Sequence, residues 1–305
     1  MSRKKLILKI FIALCLVILI MFTSSYLFVN SIVGPTNHKD VYALEKNSID
    51  VLFVGSSHCY CGFSPQVFYE QTGVKSYTLG GSAQSMLSCY LWTKEFYERQ
   101  KYNTLVVEAF SVTMSHGDVG NDIHTLASMY PSKNYMEMAL TYKRNCDKVI
   151  FPILCVHSEW DRIDPKEIVN AYHKDNLGYV DIHSFAGEEY TESVLKGDKD
   201  ADDYLGFTYL DKIADFCKQN NIRLVLVKTL IASNEVDRWD DAYHNKVSKY
   251  AEEKGIEFID FNDPVYMEDA GLVIAEDVAA DLRHLNADGA YKTTTYIGKY
   301  LYGDK

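Results

Sequence analysis

The chain has 305 residues, of which 47% are hydrophobic and 24% charged, and this balance excludes a wholly disordered protein. Its formal net charge is −11. Four of the 31 basic residues precede residue 30, so the rest of the chain carries 27 basic and 42 acidic residues, a net −15. Such an acidic body repels a phosphate backbone, which argues against nucleic acid as the main partner.

Seven cysteines are present, and none of them forms a His/Cys cluster with zinc spacing. We therefore expect neither a metal nor a cofactor. The cysteines do not decide between scattered thiols and a disulfide.

The N-terminal segment is strongly apolar. From Ile10 to Val29 it contains no charged residue, and this length is enough to cross a bilayer of about 30 Å as a helix. Basic residues precede the run, so the positive-inside rule places the N-terminus in the cytoplasm and the remainder outside. A cleaved signal peptide is the competing interpretation, but the region of Ser24–Tyr26 fits a small-x-small cleavage site poorly. We predict a single-pass cell-membrane anchor with its cytoplasmic tip over residues 1–33, a stalk over 34–47 and an extracellular body over 48–305.

Apolar runs alternate with helical patterns along the body. The predicted strands lie at 50–55, 75–80, 104–110, 222–228 and 256–261, and the predicted helices at 84–100, 205–219 and 235–254. Strands that are apolar throughout indicate a parallel sheet covered on both faces, here a flavodoxin-like α/β three-layer sandwich. In such sheets, ligands bind at the carboxyl ends of the strands.

The segment from about residue 112 to 204 interrupts this alternation. It is rich in Tyr, Asp and His and lacks clear strand signals. We predict a mostly helical insertion that lies over the carboxyl edge of the sheet.

The first candidate motif is the serine pair in Gly55-Ser56-Ser57-His58, directly after the first predicted strand. A hydroxyl in this turn is exposed, and nearby backbone N–H groups can stabilise an oxyanion. Gly-Ser-Ser is also ordinary turn chemistry, so the motif is weak by itself.

The second candidate motif is Asp281-Leu-Arg-His284, followed by Leu-Asn-Ala-Asp-Gly, close to the C-terminus. A histidine three residues after an aspartate places both side chains on one side of a tight turn, where the carboxylate orients the imidazole. Capping of the following helix by Asn286 or Asp288 explains some of these residues, but it does not explain the histidine.

Together the two motifs resemble the SGNH/GDSL hydrolase superfamily, which has a nucleophilic serine after its first strand and a D-x-x-H pair before its last helix. The resemblance covers the body from about residue 48, apart from the insertion. It implies the SGNH hydrolase fold, with Ser57 rather than Ser56 as the nucleophile and Asp281 and His284 as its acid–base partners.

Two further blocks of that superfamily are altered here. The oxyanion glycine after the second strand aligns with Ala83, with Gly81 as the alternative, and either residue retains a backbone N–H. The asparagine expected after the third strand is absent, and Ser111 is the candidate replacement. His58 is interpreted as a wall of the site or a substrate contact.

With its N-terminal anchor, the chain is similar to membrane-anchored SGNH-like proteins that work beside membrane-bound O-acyltransferases in teichoic-acid D-alanylation and exopolysaccharide O-acetylation. His157 and Trp160 resemble a His-Ser-x-Trp feature of that branch, although a tryptophan packed within the insertion is an equal alternative. The resemblance implies an acyltransferase or esterase that acts on cell-surface glycopolymers, with an O-acyltransferase as partner. The alternative is an inactive module that binds polysaccharide or that partner. A nucleotide-binding domain has little support, because neither the P-loop nor the G-x-G-x-x-G motif occurs.

Overall fold

A five-stranded parallel sheet forms the centre of the body. The computed structural model describes residues 2–32, 38–114, 122, 128–129, 131–142, 146–152, 154, 176–187, 205–232 and 241–303. The strands are β1 (Val51–Gly55), β2 (Ser76–Gly80), β3 (Thr104–Glu108), β4 (Arg223–Lys228) and β5 (Glu257–Asp260). Their order, β2-β1-β3-β4-β5, is the flavodoxin-like order, and its switch point lies at the carboxyl end of β1.

Helices cover both faces of this sheet. Their bounds are α1 (Arg3–Ile32), α2 (Ser57–Gly62), α3 (Pro65–Thr72), α4 (Met86–Gln100), α5 (Lys133–Thr141), α6 (Cys146–Ile150), α7 (Leu205–Asn220), α8 (Asp241–Lys254), α9 (Pro264–Asp269), α10 (Ile274–Asp277) and α11 (Ala287–Tyr302). In the part of the chain that the structure describes, 3₁₀ turns span Lys39–Tyr42 and Ala109–Thr113.

The side chains of β1 alternate between two hydrophobic cores. Leu52 and Val54 pack in the core shared with α4, α7 and α8, whereas Val51 and Phe53 pack in the core shared with α3 and α11. All five residues of the strand are buried, as the unbroken apolar run predicts. The predicted α/β three-layer sandwich is therefore confirmed.

The N-terminal helix α1 has the properties expected of a membrane span. Its segment Arg3–Ser25 has 23 residues, and the most apolar stretch within it is not buried, so the helix is long and apolar enough to cross a bilayer. The predicted apolar helix is confirmed as a helix.

The predicted stalk is wrong for residues 38–47, the part of it that the structure describes. Val41 is fully buried in the core, and His38 Nε2 lies 2.7 Å from the carbonyl oxygen of Gly80, at the end of β2. Tyr77 donates a hydrogen bond of 2.9 Å to Asp40. The polar composition suggested exposure to solvent, but these polar groups have partners on the body, and Val41 supplies apolar burial.

Within the part of the predicted insertion that the structure describes, helices and irregular backbone both occur. The α5 and α6 helices lie within it, whereas residues 176–187 form an irregular segment held by backbone hydrogen bonds. Its Val180 N–H donates to Tyr60 O at 2.8 Å, and its Ile182 carbonyl accepts from Ala287 N–H at 2.8 Å. This segment therefore connects α2 with the start of α11, the helices next to the two candidate motifs. Partners far away in sequence determine its conformation, so no local pattern predicts it.

Candidate active site

The two serines of the first motif have different environments. Ser56 is fully buried and caps α2, because its Oγ accepts from His58 N–H at 3.3 Å, and it donates to Glu108 Oε2 at 3.2 Å. Ser57 is the first residue of α2 and is partly exposed. A Cβ added at Gly55 would lie 2.6 Å from Glu108 Cβ, which explains the glycine at this position. Ser56 is therefore structural, and Ser57 presents its hydroxyl at the carboxyl end of β1.

The second motif forms a closed loop before α11. An antiparallel bridge joins Val278 and Leu285, and Ala279 N–H donates to His284 O at 2.8 Å. Leu282 adopts a left-handed conformation with φ of 64°, which lets the chain reverse within a few residues. These contacts hold the backbone of His284 in a fixed position.

The start of α11 explains the residues that follow this histidine. Asn286 is the N-cap and accepts from Gly289 N–H at 3.0 Å. A Cβ on Gly289 would lie 2.3 Å from Asp277 O, so only glycine fits there. Of the two predicted capping candidates, Asn286 is the cap.

The two motifs meet at the edge of the sheet. His284 Nε2 lies 2.7 Å from Ser57 Oγ, and His284 Nδ1 lies 2.6 Å from Asp281 Oδ2. The imidazole is mostly buried, with 18% of its side chain exposed, whereas Asp281 has 47% exposed. The three residues thus form a continuous chain from carboxylate to imidazole to hydroxyl, the arrangement in which a serine proton can move to a histidine.

The charge of Asp281 is stabilised locally. Burial by itself raises the pKa of this carboxyl, but hydrogen bonds from the His284 ring and from the backbone N–H groups of Arg283 and His284 outweigh it. The pKa of Asp281 therefore lies well below its ordinary value. An ionised Asp281 accepts the proton of Nδ1, which leaves Nε2 free to accept from Ser57.

Candidate backbone donors for an oxyanion lie at the start of α2 and in the loop after β2. The N–H of Ser57 belongs to the first turn of α2, where helix N–H groups lack helical acceptors. Gly81 N–H donates to Gly55 O at 3.1 Å, so it is already used. Ala83 has a φ of 48°, and among the described residues its N–H has no acceptor. Of the two predicted alternatives, Ala83 is the one with an available donor.

Of the remaining predicted site residues, two are buried and two lie outside the described residues. Ser111 is fully buried in the 3₁₀ turn after β3, so it does not reach a substrate in this structure. His58 is 2% exposed, and its ring lies 5.0 Å from that of His284 and 4.4 Å from that of Phe110. The buried His58 ring therefore forms a wall behind His284 and does not present itself to a substrate. His157 and Trp160 lie outside the described residues.

Two features near the site were missed in the sequence. Glu108 and Lys228 are fully buried at the ends of β3 and β4, with 3.9 Å between their charged groups. The sequence does contain a signal for this pair, because each of these two apolar strands ends in a charged residue. The second feature is Tyr60, three residues after Ser57 on α2, a spacing that places both on one helix face.

The described residues contain no group of three or more His, Cys, Asp or Glu arranged to hold a metal ion. A cavity of about 360 Å³ lies between the 176–187 segment and the start of α11, and its lining includes Tyr179, Asp181, Asp288 and Tyr291. Neither Ser57 nor His284 lines it. Ser57 itself is partly exposed at the carboxyl end of β1.

No protein-family model matches this sequence, and no curated protein matches it significantly. Several solved structures are similar. A protein assigned to the lipolytic G-D-S-L family from Desulfitobacterium hafniense DCB-2 has 12% identity and a TM-score of 0.39, over 82% of this chain and 98% of its own. A GDSL-like lipase from Bacteroides thetaiotaomicron VPI-5482 has 12% identity and a TM-score of 0.43, over 89% and 98%. A protein assigned as an acylhydrolase from Bacteroides fragilis NCTC 9343 has 13% identity and a TM-score of 0.41, over 88% and 94%.

Proposed function

We propose that this protein is a serine-dependent carboxylester hydrolase or O-acyltransferase, with Ser57 as nucleophile, His284 as general base and Asp281 as the residue that orients it. The observation that carries the proposal is the hydrogen-bonded chain of 2.6 Å and 2.7 Å that joins these three residues at the switch point of the sheet. Ser57 is partly exposed there, as a nucleophile must be.

The proposed reaction has two steps. Ser57 Oγ attacks the ester carbonyl while its proton moves to His284 Nε2, and the N–H groups of Ser57 and Ala83 stabilise the oxyanion. His284 then returns the proton to the leaving alcohol, so that an acyl-enzyme forms on Ser57. Water completes hydrolysis, or a sugar or polyol hydroxyl completes transfer, in each case after losing its own proton to His284.

The membrane helix supports a position at the cell surface. Arg3, Lys4, Lys5 and Lys9 lie at the N-terminal end of α1, and the positive-inside rule places that end in the cytoplasm. The body is then extracytoplasmic and close to the membrane. Protease added to intact cells tests this proposal: we expect it to reach α3 in the body if the body lies outside the membrane.

The substrates proposed for a body in this position are acyl esters of cell-surface glycopolymers. Its acidic composition is compatible with a neutral sugar, and the partial exposure of Ser57 is compatible with a polymer hydroxyl as acceptor. A membrane-bound O-acyltransferase is the proposed partner that delivers the acyl group. Co-purification of such a multi-spanning protein from native membranes with the full-length chain tests this part.

A catalytically inactive binding module is the second candidate. The observation that favours it is that β3 ends in Glu108, a buried acceptor bonded to Ser56, and that Ser111, the candidate replacement for the asparagine that the resemblance implies after this strand, is fully buried. A site with a complete triad geometry and one missing donor is slowed by about 10²–10³-fold. A rate of ester hydrolysis lower than this slowing accounts for would favour the binding module.

A covalent probe separates the two candidates. Full-length protein in detergent is treated with a fluorophosphonate, and labelled peptides are identified by mass spectrometry. We expect labelling at Ser57, its loss in Ser57→Ala, and its retention in Ser56→Ala, because Ser56 is fully buried. Unchanged labelling of Ser57→Ala contradicts the assignment, and no labelling of the wild type favours the binding module.

A further inference from the structure

The candidate oxyanion site has two backbone donors and lacks a side-chain donor from β3. The end of that strand is filled by Glu108, an acceptor already bonded to Ser56 and close to Lys228. Ser111, the next hydroxyl along the chain, is fully buried. A third donor must therefore come from another element.

The α2 helix supplies a second hydroxyl near the Ser57 side chain. Tyr60 lies three residues after Ser57, on the same helix face, and is partly exposed. Its hydroxyl forms a hydrogen bond of 3.2 Å with Ser82 Oγ and is close enough to the Ser57 side chain to interact with it. Ser82 directly precedes Ala83. The phenol is thus positioned between the nucleophile and the loop that carries the second backbone donor.

We propose that the Tyr60 hydroxyl is the third oxyanion donor, with Ser82 holding it in position. This inference rests on the proposed function, because it assigns a role in the same acyl transfer. When Ser57 Oγ bonds to the ester carbon and the carbonyl π electrons move to oxygen, Tyr60 O–H donates a hydrogen bond to that oxygen. The proton stays on the phenol throughout, and Ser82 O–H donates in turn to the phenol oxygen.

The chemistry of Tyr60 suits a donor better than a base. Burial raises the pKa of Tyr60 above its ordinary value, and this effect outweighs the hydrogen bond from Ser82, which lowers it. The phenol is therefore protonated at neutral pH. A protonated phenol cannot remove the proton of Ser57, but it can donate to a developing negative charge, as tyrosines do in other oxyanion sites.

The test compares Tyr60→Phe with wild type in the full-length protein, using p-nitrophenyl acetate. We expect kcat to fall by about 10–10³-fold while KM changes by less than about threefold, because the donor acts on the transition state more than on the ground state. Tyr69→Phe is the matched control, since Tyr69 lies exposed on α3, and we expect wild-type kinetics. A Tyr60→Phe enzyme with kcat within twofold of wild type overturns the inference.

A second measurement excludes a merely structural role. An aryl trifluoromethyl ketone forms a tetrahedral adduct with serine, and its oxyanion occupies the same position. We expect Tyr60→Phe to weaken inhibition by the same factor by which it lowers kcat, with an unchanged melting temperature. We expect Ser82→Ala to lower kcat and to weaken inhibition by smaller factors. Equal inhibition of Tyr60→Phe and wild type overturns the inference.

The proposed function fails in a different way. If Ser57→Ala hydrolyses the ester as fast as wild type, or if the wild type forms no adduct with the ketone, then the serine mechanism is wrong and the inference falls with it. If Ser57→Ala is inactive but Tyr60→Phe is fully active, only the role of Tyr60 is wrong.

Discussion

His284 Nε2 lies 2.7 Å from Ser57 Oγ, although 227 residues separate the two in sequence. The contact exists because β1 ends at the switch point of the sheet and the loop before α11 closes over it through the bridge of Val278 with Leu285. The position of the histidine thus depends on the fold of the C-terminal loop as much as on the motif itself.

Replacing His284 by alanine removes the proposed general base. We expect kcat for ester hydrolysis to fall by about 10²–10⁴-fold, because Ser57 then lacks a proton acceptor. Stopped-flow or plate assays with p-nitrophenyl acetate measure this. His183→Ala is the control, since that histidine is 78% exposed on the 176–187 segment and we expect unchanged rates. Comparable rates for His284→Ala and wild type would remove the histidine from the mechanism.

Replacing Asp281 by asparagine tests the orientation of the imidazole. The amide cannot stabilise the tautomer with a proton on Nδ1 in the same way, so we expect kcat to fall by up to about 10⁴-fold. Asp269→Asn, an exposed change at the end of α9, is the control. A kcat of Asp281→Asn close to wild type contradicts the proposed role.

The same carboxyl predicts a pH dependence of stability. The folded-state pKa of Asp281 is lowered, so its contribution to the free energy of unfolding is fully present above the unfolded pKa of about 4. It is lost as the pH falls from there through the folded pKa. We therefore expect the difference in melting temperature between wild type and Asp281→Asn to be constant from pH 5 to 7 and to shrink below about pH 4. A difference that grows on acidification contradicts the lowered pKa.

The sequence predicted the sheet well, because buried parallel strands are apolar throughout and stand out from amphipathic helices. Four strands begin one residue later than predicted, which is within ordinary boundary error. The third was predicted to extend to Phe110 but ends at Glu108, because Ala109–Thr113 form a 3₁₀ turn. An apolar run does not distinguish a strand from a buried turn that follows it.

The sequence also predicted the residues that the structure brings together at the site, but it did not predict the tertiary contacts that hold the surrounding loops in place. The choice between Gly81 and Ala83 depends on the hydrogen bond of Gly81 with Gly55, a tertiary contact without a local pattern. The packing of His38 against Gly80 is of the same kind. Long-range contacts of this type explain why the stalk was predicted incorrectly and why no local pattern predicts the conformation of the 176–187 segment.

Replacing Gly55 by alanine tests how closely β1 and β3 approach beneath the site. The new Cβ would lie 2.6 Å from Glu108 Cβ and 3.0 Å from Cys59 Cβ, so the strands must separate. We expect a loss of about 1–3 kcal/mol in the free energy of unfolding, as for other overpacked cores, measured by urea denaturation. Gly298→Ala is the control, because the one short contact of its Cβ is with a Thr72 methyl at 3.0 Å, Gln71 Cβ follows at 3.7 Å, and alanine favours the helix by up to about 1 kcal/mol. Equal stability of Gly55→Ala and wild type contradicts the close approach.

Replacing Lys228 by methionine tests the buried charges beneath Ser56. Lys228 Nζ lies 3.9 Å from Glu108 Oε1, and both side chains are fully buried, so the methionine leaves a buried carboxylate without its cation. We expect a loss of about 3–5 kcal/mol in the free energy of unfolding, measured by urea denaturation.

The paired variant Glu108→Gln with Lys228→Met removes both charges at once. We expect it to be more stable than Lys228→Met alone, because neither charge of this pair then remains buried. Ser56 donates to Glu108 Oε2, and the glutamine side chain still offers an oxygen to that hydroxyl. Fluorophosphonate labelling of Ser57 should therefore be retained in the double variant. A double variant no more stable than Lys228→Met would show that the two charges do not compensate each other, and that Lys228 stabilises this edge of the sheet through its other contacts, such as its hydrogen bond of 2.9 Å to Thr229 O.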